Sequence, residues 1–171
     1  VPSASAAEPE ALVNPHRGSG AGRELCSAGL ALKLAQALWP GDPERIEPYL
    51  ELAALGTLAD YSPLVGDNRI LVAEGTARLA TTKRRGLAQL CEDVRLTKAT
   101  PAQILQRLVP RLNAAGRMGD AKPVWRLLVE RTSRGIERLS GMLGEAHDRS
   151  KALSRQILAE AHELANRISF K

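Results

Sequence analysis

The chain has 171 residues, of which 44% are apolar and only 3% aromatic, and its formal net charge is +5 at pH 7. This length is enough for one domain with a buried core, and the many leucines and alanines favour a mainly α fold. Two cysteines are too few for a disulfide framework, and no apolar run is long enough to span a membrane. We therefore expect a cytoplasmic protein that makes no membrane contact and has a modest preference for acidic partners.

The N-terminal part of the sequence predicts one short strand and one helix. Leu12–Asn14 is the predicted strand, and Pro15 would end it. Apolar residues then recur at helical spacing as far as residue 38, with Ser27 as the predicted N-cap and Trp39 at the C-terminal end. Residues 1–11 are small and contain proline, which is typical of a loop.

Two further helices are predicted between residues 42 and 79. Asp42 followed by Pro43 is typical of a helix start, and the segment that follows becomes almost wholly apolar before it reaches Asp60. After a short connection, either Asp67 or Asn68 is predicted to cap the next helix. Asp60 therefore stands at the end of an apolar helix.

Residues 86–129 predict three short helices. Thr100 followed by Gln103 matches a capping box, with a hydroxyl at the N-cap and an amide three residues later. Pro110 is predicted to end this helix, because proline lacks the N–H that a helix interior needs. The sequence RLNAAGR of residues 111–117 would then form a turn before the next helix.

The C-terminal segment has the clearest periodicity in the sequence. From about Arg134 to Ile168, apolar residues recur at steps of three and four in one narrow stripe. If Gly141 and Gly144 do not interrupt it, the helix would be about 50 Å long. So long a helix cannot pack entirely on a small domain. We therefore predict a domain at 1–131 and a connector helix at 132–171 that leaves it.

Asp60 is the first candidate functional residue. No basic side chain in residues 52–59 can pair with it, and a carboxylate among apolar neighbours needs a cation or hydrogen-bond donors. Carboxylate oxygens suit Mg²⁺ or Mn²⁺, which makes Asp60 a candidate metal ligand. The alternative is a carboxylate at a helix end that accepts backbone N–H bonds.

Arg111, Asn113, Gly116 and Arg117 form the second candidate site. Two arginines around a glycine-containing turn suit an anion, above all a phosphate. The alternative is a plain connection between helices whose arginines face solvent. Together with Asp60, the segment suggests metal-assisted chemistry on a phosphate ester.

Several stretches of the sequence together resemble the RecJ family of exonucleases in the DHH phosphoesterase superfamily. The two main ones are Ala54–Asp60 and Arg111–Asp120; the others are Leu12–Pro15, Leu25–Ala35 and Asn68–Val72 with Gly75 following. They extend over most of the chain in the order that the family has. The resemblance implies the helical second half of a DHH-type α/β catalytic domain, followed by a long connector helix.

The same resemblance implies roles for the candidate residues. Asp60 would be a catalytic aspartate and a ligand of one or both of two divalent metal ions, Mn²⁺ or Mg²⁺. Asn113 and Arg117, with Arg111 and Gly116 nearby, would bind the phosphates of single-stranded DNA that is hydrolysed from its 5′ end. The sequence contains no Asp-His-His motif. We therefore expect most of the metal ligands in a missing remainder of the same polypeptide, and no activity or metal binding by these residues alone.

Three other functions fit parts of the sequence. One is a catalytically inactive relative of RecJ that binds DNA or protein. Another is a different DHH phosphodiesterase that acts on small nucleotides, and the third is an unrelated helical DNA-binding protein with few aromatics for base stacking. Because a partial domain exposes apolar surface, self-association is a further expectation.

Overall fold

The computed structural model describes residues 12–17 and 21–167, and within these residues it contains helices and no strand. A mainly α fold is thereby confirmed. The helices are α1 (Ser27–Leu38), α2 (Pro43–Ile46), α3 (Leu50–Ala59), α4 (Gly66–Leu79), α5 (Arg85–Asp93), α6 (Pro101–Gln103), α7 (Val109–Arg117), α8 (Lys122–Val129) and α9 (Ser133–Arg167). Short 3₁₀ turns at Pro15–Arg17, Ala21–Glu24 and Glu47–Tyr49 and a π-helix at Ile104–Leu108 complete the description. No helix in this part of the chain is both long and apolar enough to cross a membrane.

Helix α3 lies at the centre of the fold and contacts α1, α4 and α7. It is buried on most of its circumference, as expected for a helix that is apolar all round. Small residues let its neighbours approach closely. A Cβ on Gly56 would lie well under 3.0 Å from Ala28, and a Cβ on Gly75 of α4 would lie equally close to the Leu50 carbonyl.

The core consists of two apolar clusters that meet at α3. The larger cluster joins α3, α4, α5, α7, α8 and α9, and leucines such as Leu87 and Leu108 are fully buried in it. The smaller cluster contains Leu32 of α1 and Leu71 of α4 around Ala53 of α3. Because α3 contributes to both clusters, its C-terminal end, where Asp60 lies, has a fixed position in the fold.

The predicted boundaries near the N-terminus need two corrections. Leu12–Asn14 has no regular secondary structure, because no neighbouring strand is described with which it could pair. The N-cap of α1 is Cys26, whose Sγ accepts the Gly29 N–H, so the prediction of Ser27 was off by one residue. The predicted start of α2 is confirmed, since Asp42 accepts the N–H of Arg45.

The predicted cap of α4 was wrong. Gly66 is the first residue of α4, its N-cap is Val65, and no side chain caps the helix. Asn68 is buried instead, and its Nδ2 donates to the carbonyls of Glu24 and Pro63 at 2.7 and 3.0 Å. The amide thus ties the connection after α3 to the 3₁₀ turn before α1, a long-range role that no local sequence pattern indicates.

Pro110 does not end a helix, contrary to the prediction. The residues before it form a π-helix in which the Val109 N–H donates to the Ile104 carbonyl, and α7 continues directly through Pro110. The wider π turn accommodates a ring that would otherwise clash with the carbonyl four residues earlier. Residues 111–117 are consequently helical. The turn comes later, at Gly119, where φ is +104°.

Helix α9 is continuous from Ser133 to Arg167, and neither Gly141 nor Gly144 breaks it. Its 35 residues extend over about 52 Å. The first half of the predicted stripe is buried against α5, α7 and α8, whereas Leu153, Ile157 and Leu164 are about half exposed. The predicted stripe thus continues beyond the part of α9 that packs on the domain; its last residue, Ile168, lies outside the described residues.

Candidate functional site

Asp60 is the C-cap of α3, and its side chain is exposed at the end of the buried helix. Its backbone N–H donates to Gly56, and its Oδ2 accepts a hydrogen bond of 2.8 Å from Ser62 Oγ. Ser62 is itself buried, so this bond fixes one carboxylate oxygen. Ser62 was not predicted as part of the site, and its position two residues after Asp60 is the signal in the sequence that could have indicated it.

The backbone after Asp60 adopts an unusual conformation. Tyr61 has φ of +54°, and the N–H groups of Tyr61 and Ser62 donate to the carbonyls of Leu58 and Thr57. These bonds define a Schellman motif, in which glycine normally occupies the left-handed position. A tyrosine there is strained, which fixes the direction of the chain beyond Asp60 at a cost in stability.

We expect Tyr61→Gly to stabilise the protein by roughly 0.5–1 kcal/mol, because glycine adopts a left-handed conformation without steric strain. The Tyr61 side chain is 76% exposed, so little apolar burial is lost. Urea unfolding followed by circular dichroism measures the change. Tyr61→Ala is the matched control, since alanine keeps the strained conformation; equal stability of the two variants would contradict the explanation.

Asn113, Gly116 and Arg117 lie on one face of α7, here called the phosphate face. Gly116 and Arg117 follow Asn113 by three and four residues, which places both of them next to Asn113 on the helix. Asn113 is half-buried and Arg117 exposed, and Arg117 takes no part in the ion pairs found among the described residues. Above Gly116 the nearest neighbour, Ala121 Cβ, is 3.9 Å from where a Cβ would be. A ligand can therefore approach this part of the backbone closely.

The backbone N–H groups of this segment are not free, contrary to the prediction of a turn. Within α7 they donate to carbonyls of the preceding helical turn, and only side chains remain to bind an anion. Gly116 has an ordinary helical backbone, whereas Gly119, two residues beyond α7, has a positive φ. Any phosphate binding would therefore rely on the Asn113 amide and the Arg117 guanidinium.

Arg111 lies on the opposite side of α7 from the phosphate face. Two residues on a helix are about 200° apart, so Arg111 points away from Asn113. Its Nη1 is 3.5 Å from Asp93 Oδ2 of α5. The structure therefore groups three of the four predicted phosphate-binding residues and separates the fourth.

The phosphate face and Asp60 belong to neighbouring helices. Helix α3 contacts α7, and Leu58 of α3 belongs to the same apolar cluster as Ala115 of α7. Asp60 follows Leu58 by two residues, and Ala115 lies between Asn113 and Arg117. The core thus holds a residue within two positions of each candidate group.

The residues present provide one metal ligand and not a complete site. No three His, Cys, Asp or Glu side chains come together in residues 12–17 and 21–167 in a way that could hold an ion. Asp60 has the right chemistry for a hard cation: it is an exposed carboxylate with one oxygen held by Ser62 and the other available. Further ligands would have to come from elsewhere.

The cysteines do not add to the site. Burial raises the pKa of the Cys91 thiol to about 11, with Glu51 and Glu92 adding to the shift, so Cys91 remains protonated at neutral pH. A protonated thiol is neither a nucleophile nor a metal ligand. Cys26 is buried as the N-cap of α1. Both act as structural residues, as predicted.

The basic cluster at residues 83–85 is largely engaged within the fold. Arg84 Nε lies 2.9 Å from Oε1 of the buried Glu51, and its guanidinium stacks over the ring of Tyr49. Arg85 donates to Ser133 at the start of α9. These arginines join helices to one another, which leaves Arg117 as a better candidate for an external anion.

No protein-family model matches the chain. Individual proteins do match it. The single-stranded-DNA-specific exonuclease RecJ of Thermus thermophilus is 39% identical over 133 residues, which cover 77% of this chain and 20% of that protein. RecJ of Bacillus subtilis is 34% identical over 144 residues, covering 83% and 18%. The chain thus spans about a fifth of the length of these relatives.

Solved structures give the same result for the fold. The crystal structure of RecJ in complex with Mn²⁺ from Thermus thermophilus superposes with a TM-score of 0.76 at 34% identity, over 85% of this chain and 22% of that one. RecJ in complex with Mg²⁺ from the same organism gives a TM-score of 0.72. Sequence and structure together show that the chain corresponds to a segment of RecJ, and the resemblance seen in the sequence is confirmed.

Proposed function

We propose that this RecJ-like chain is the helical part of the catalytic domain of a 5′-to-3′ exonuclease that degrades single-stranded DNA. The division into a partial catalytic domain at 1–131 and a connector helix at 132–171 is part of this proposal, as is a cytoplasmic location. The observation that supports it most is the placement of Asp60 and of the phosphate face on the adjoining helices α3 and α7.

Within this proposal Asp60 is a ligand of Mn²⁺ or Mg²⁺. The proteins of the two similar structures bind these ions, and the exposed carboxylate of Asp60 suits them. A divalent ion supplies an activated water and stabilises the charge that develops on a phosphate. The other ligands are proposed to come from polypeptide outside the 171 residues, so the chain alone is expected neither to bind the metal tightly nor to cleave DNA.

The phosphate face is proposed to hold the DNA backbone. The Arg117 guanidinium can form two parallel hydrogen bonds to one phosphate, and the Asn113 amide can donate a further bond. Gly116 between them leaves room for the ligand to reach the helix. Asp60 and Arg117 thus have separate tasks, one at the metal and one at the phosphate.

Binding of single-stranded DNA tests the phosphate face on the chain as it exists. We expect Arg117→Ala to weaken binding of a fluorescent 5′-phosphorylated oligonucleotide roughly tenfold. It should also reduce the salt slope by about 0.7, the value for one phosphate contact with a single strand. Fluorescence anisotropy between low and moderate salt measures both quantities.

The matched control is Arg155→Ala on the exposed part of α9, which removes the same charge at a distance from α7. It should leave the salt slope unchanged. Equal effects of the two variants would mean that the chain binds DNA only through its net charge. No binding by the unmodified chain would contradict the proposed phosphate face.

A catalytically inactive binding module is the second candidate. It would keep the same fold and phosphate face without using Asp60. We prefer the exonuclease because the Ser62 hydrogen bond and the strained Tyr61 hold the Asp60 carboxylate in place, which binding alone does not require.

For the exposed stripe of α9 we propose contact with the polypeptide that follows it in the intact protein. Leu153, Ile157, Leu158 and Leu164 are each about half exposed. Apolar residues in such a row are usually covered in a complete assembly. Self-association of the chain is the alternative, and sedimentation at increasing concentration separates the two.

A further inference from the structure

Arg111 belongs to a polar junction between three helices. Its guanidinium is 3.5 Å from Asp93 Oδ2 of α5, and the same carboxylate oxygen accepts a hydrogen bond from Ser140 Oγ of α9. Gln89 donates to the other oxygen of Asp93 at 2.9 Å. The side chains of Arg111 and Asp93 are 20% and 26% exposed. The junction therefore connects α7 to α5 and, through Asp93, to α9.

The packing of α9 leaves space for this arginine. A Cβ on Gly144 would lie 3.0 Å from Arg111 Nη2, which is closer than nine in ten real contacts of a Cβ. Glycine at this position leaves room for the guanidinium beside α9, although it lowers the helix propensity by about 1 kcal/mol. Gly144 thus lowers the stability of α9 at the point where Arg111 contacts this helix.

The electrostatic surroundings of Arg111 are unfavourable for a phosphate. The cavity beside it, about 530 Å³ in volume, is also lined by Glu137, Glu145 and Asp148 of α9 in addition to Asp93. A phosphate brought to Arg111 would meet four carboxylates within one cavity. Arg117, on the opposite side of α7, forms no ion pair with a carboxylate among the described residues.

From this geometry we propose that Arg111 is a positioning residue that fastens the connector helix to α7 and does not contact DNA. The inference rests on the proposed function, because it takes the phosphate face as the side of α7 that binds DNA. It assigns the two sides of α7 different tasks: Arg117 binds the substrate backbone, and Arg111 sets the direction in which α9 leaves the domain. The sequence motif RLNAAGR then combines a binding residue with a structural one.

The test compares Arg111→Met with Arg117→Ala in the 171-residue chain. Methionine keeps an unbranched stem like the aliphatic part of arginine and removes the guanidinium with its charge and its hydrogen-bond donors. We expect Arg111→Met to leave the salt slope of single-stranded DNA binding unchanged and to speed amide hydrogen exchange in residues 133–146 several-fold, since α9 loses a fastening. A fall in the slope equal to that of Arg117→Ala would overturn the proposal, as would unchanged exchange in α9.

Asp93→Asn is a second variant, which breaks the junction without removing a positive charge. It should raise exchange in α9 as Arg111→Met does, and the double variant should be no worse than either single one, because all three break the same junction. Additive effects would overturn the proposal. If the unmodified chain fails to bind DNA, the proposed phosphate face fails, while the exchange and double-variant data still decide the role of Arg111.

Discussion

Gly75→Ala is expected to destabilise the protein by about 3 kcal/mol, a loss at the upper end for overpacking in a core. A Cβ at this position would lie well under 3.0 Å from the Leu50 carbonyl oxygen and from Ala54 Cβ. Both of these atoms belong to α3, which is held on its other sides by α1 and α7 and cannot move away. Urea unfolding followed by circular dichroism measures the loss.

Gly141→Ala is the matched control for this experiment. Gly141 also lies inside a helix, but a Cβ there would have no neighbour within 4 Å. The change should stabilise the protein by roughly 0.5–1 kcal/mol, because alanine has the higher helix propensity. If both variants gained stability, α3 and α4 would not be as close as the structure has them.

Asp60→Asn is expected to lower metal-dependent cleavage of single-stranded DNA by about 10³-fold in the longer polypeptide that the proposal requires. The change removes the negative charge and retains the shape. A divalent ion contributes several kcal/mol to the stabilisation of the transition state, and about 4 kcal/mol corresponds to this factor. Affinity for DNA in the absence of metal should hardly change, because the phosphate face is intact.

Asp67→Asn is the appropriate comparison. Asp67 is a partly exposed carboxylate on α4 that pairs with Lys33 at 2.8 Å, so the same chemical change is made away from the proposed centre. Cleavage should remain near the level of the unmodified enzyme. Calorimetric titration with Mn²⁺ gives an independent measurement, in which Asp60→Asn, but not Asp67→Asn, weakens binding. Full activity of Asp60→Asn would remove this residue from the catalytic centre.

The sequence predicted the helices well where caps and periodicity depend on residues close together in the chain. The Asp42 cap followed by Pro43, the Thr100 cap, and the periodicity of α9 all depend on residues within a few positions of each other, and the structure has each of them. In the capping box, however, the Gln103 amide reaches the Lys98 N–H instead of that of Thr100. The predicted hydrogen bond to the Thr100 hydroxyl is therefore confirmed. The predicted bond from the Thr100 N–H to the Gln103 side chain was wrong.

The failures share a cause, which is dependence on distant residues. Asn68 was predicted as a helix cap because asparagine favours that position, but its amide binds Glu24, which is 44 positions away. Pro110 was predicted to stop a helix because proline is unfavourable inside a regular α-helix. The π turn that accommodates it has no recognised sequence signal. The face on which Arg111 lies could not be known until residues 111–117 were seen to be helical.

The membership of the candidate site stays a prediction, and its arrangement could not be read from the sequence. Asp60 stood out because nothing nearby in sequence could neutralise it, and that reasoning needs no tertiary structure. The separation of Arg111 from Asn113 and Arg117 depends on helical geometry, and the partner of Arg111, Asp93, lies on another helix. The roles of these residues remain predictions that the proposed experiments address.

The most direct test of the central claim is the degradation of end-labelled single-stranded DNA with Mn²⁺ by the polypeptide that contains these residues. We expect a 5′ label to be released at once as a mononucleotide, while a 3′-labelled strand shortens progressively. Arg117→Ala should slow both processes, and Arg155→Ala should slow neither. Release of the 3′ label first, internal cleavage, or no cleavage at all would contradict the account.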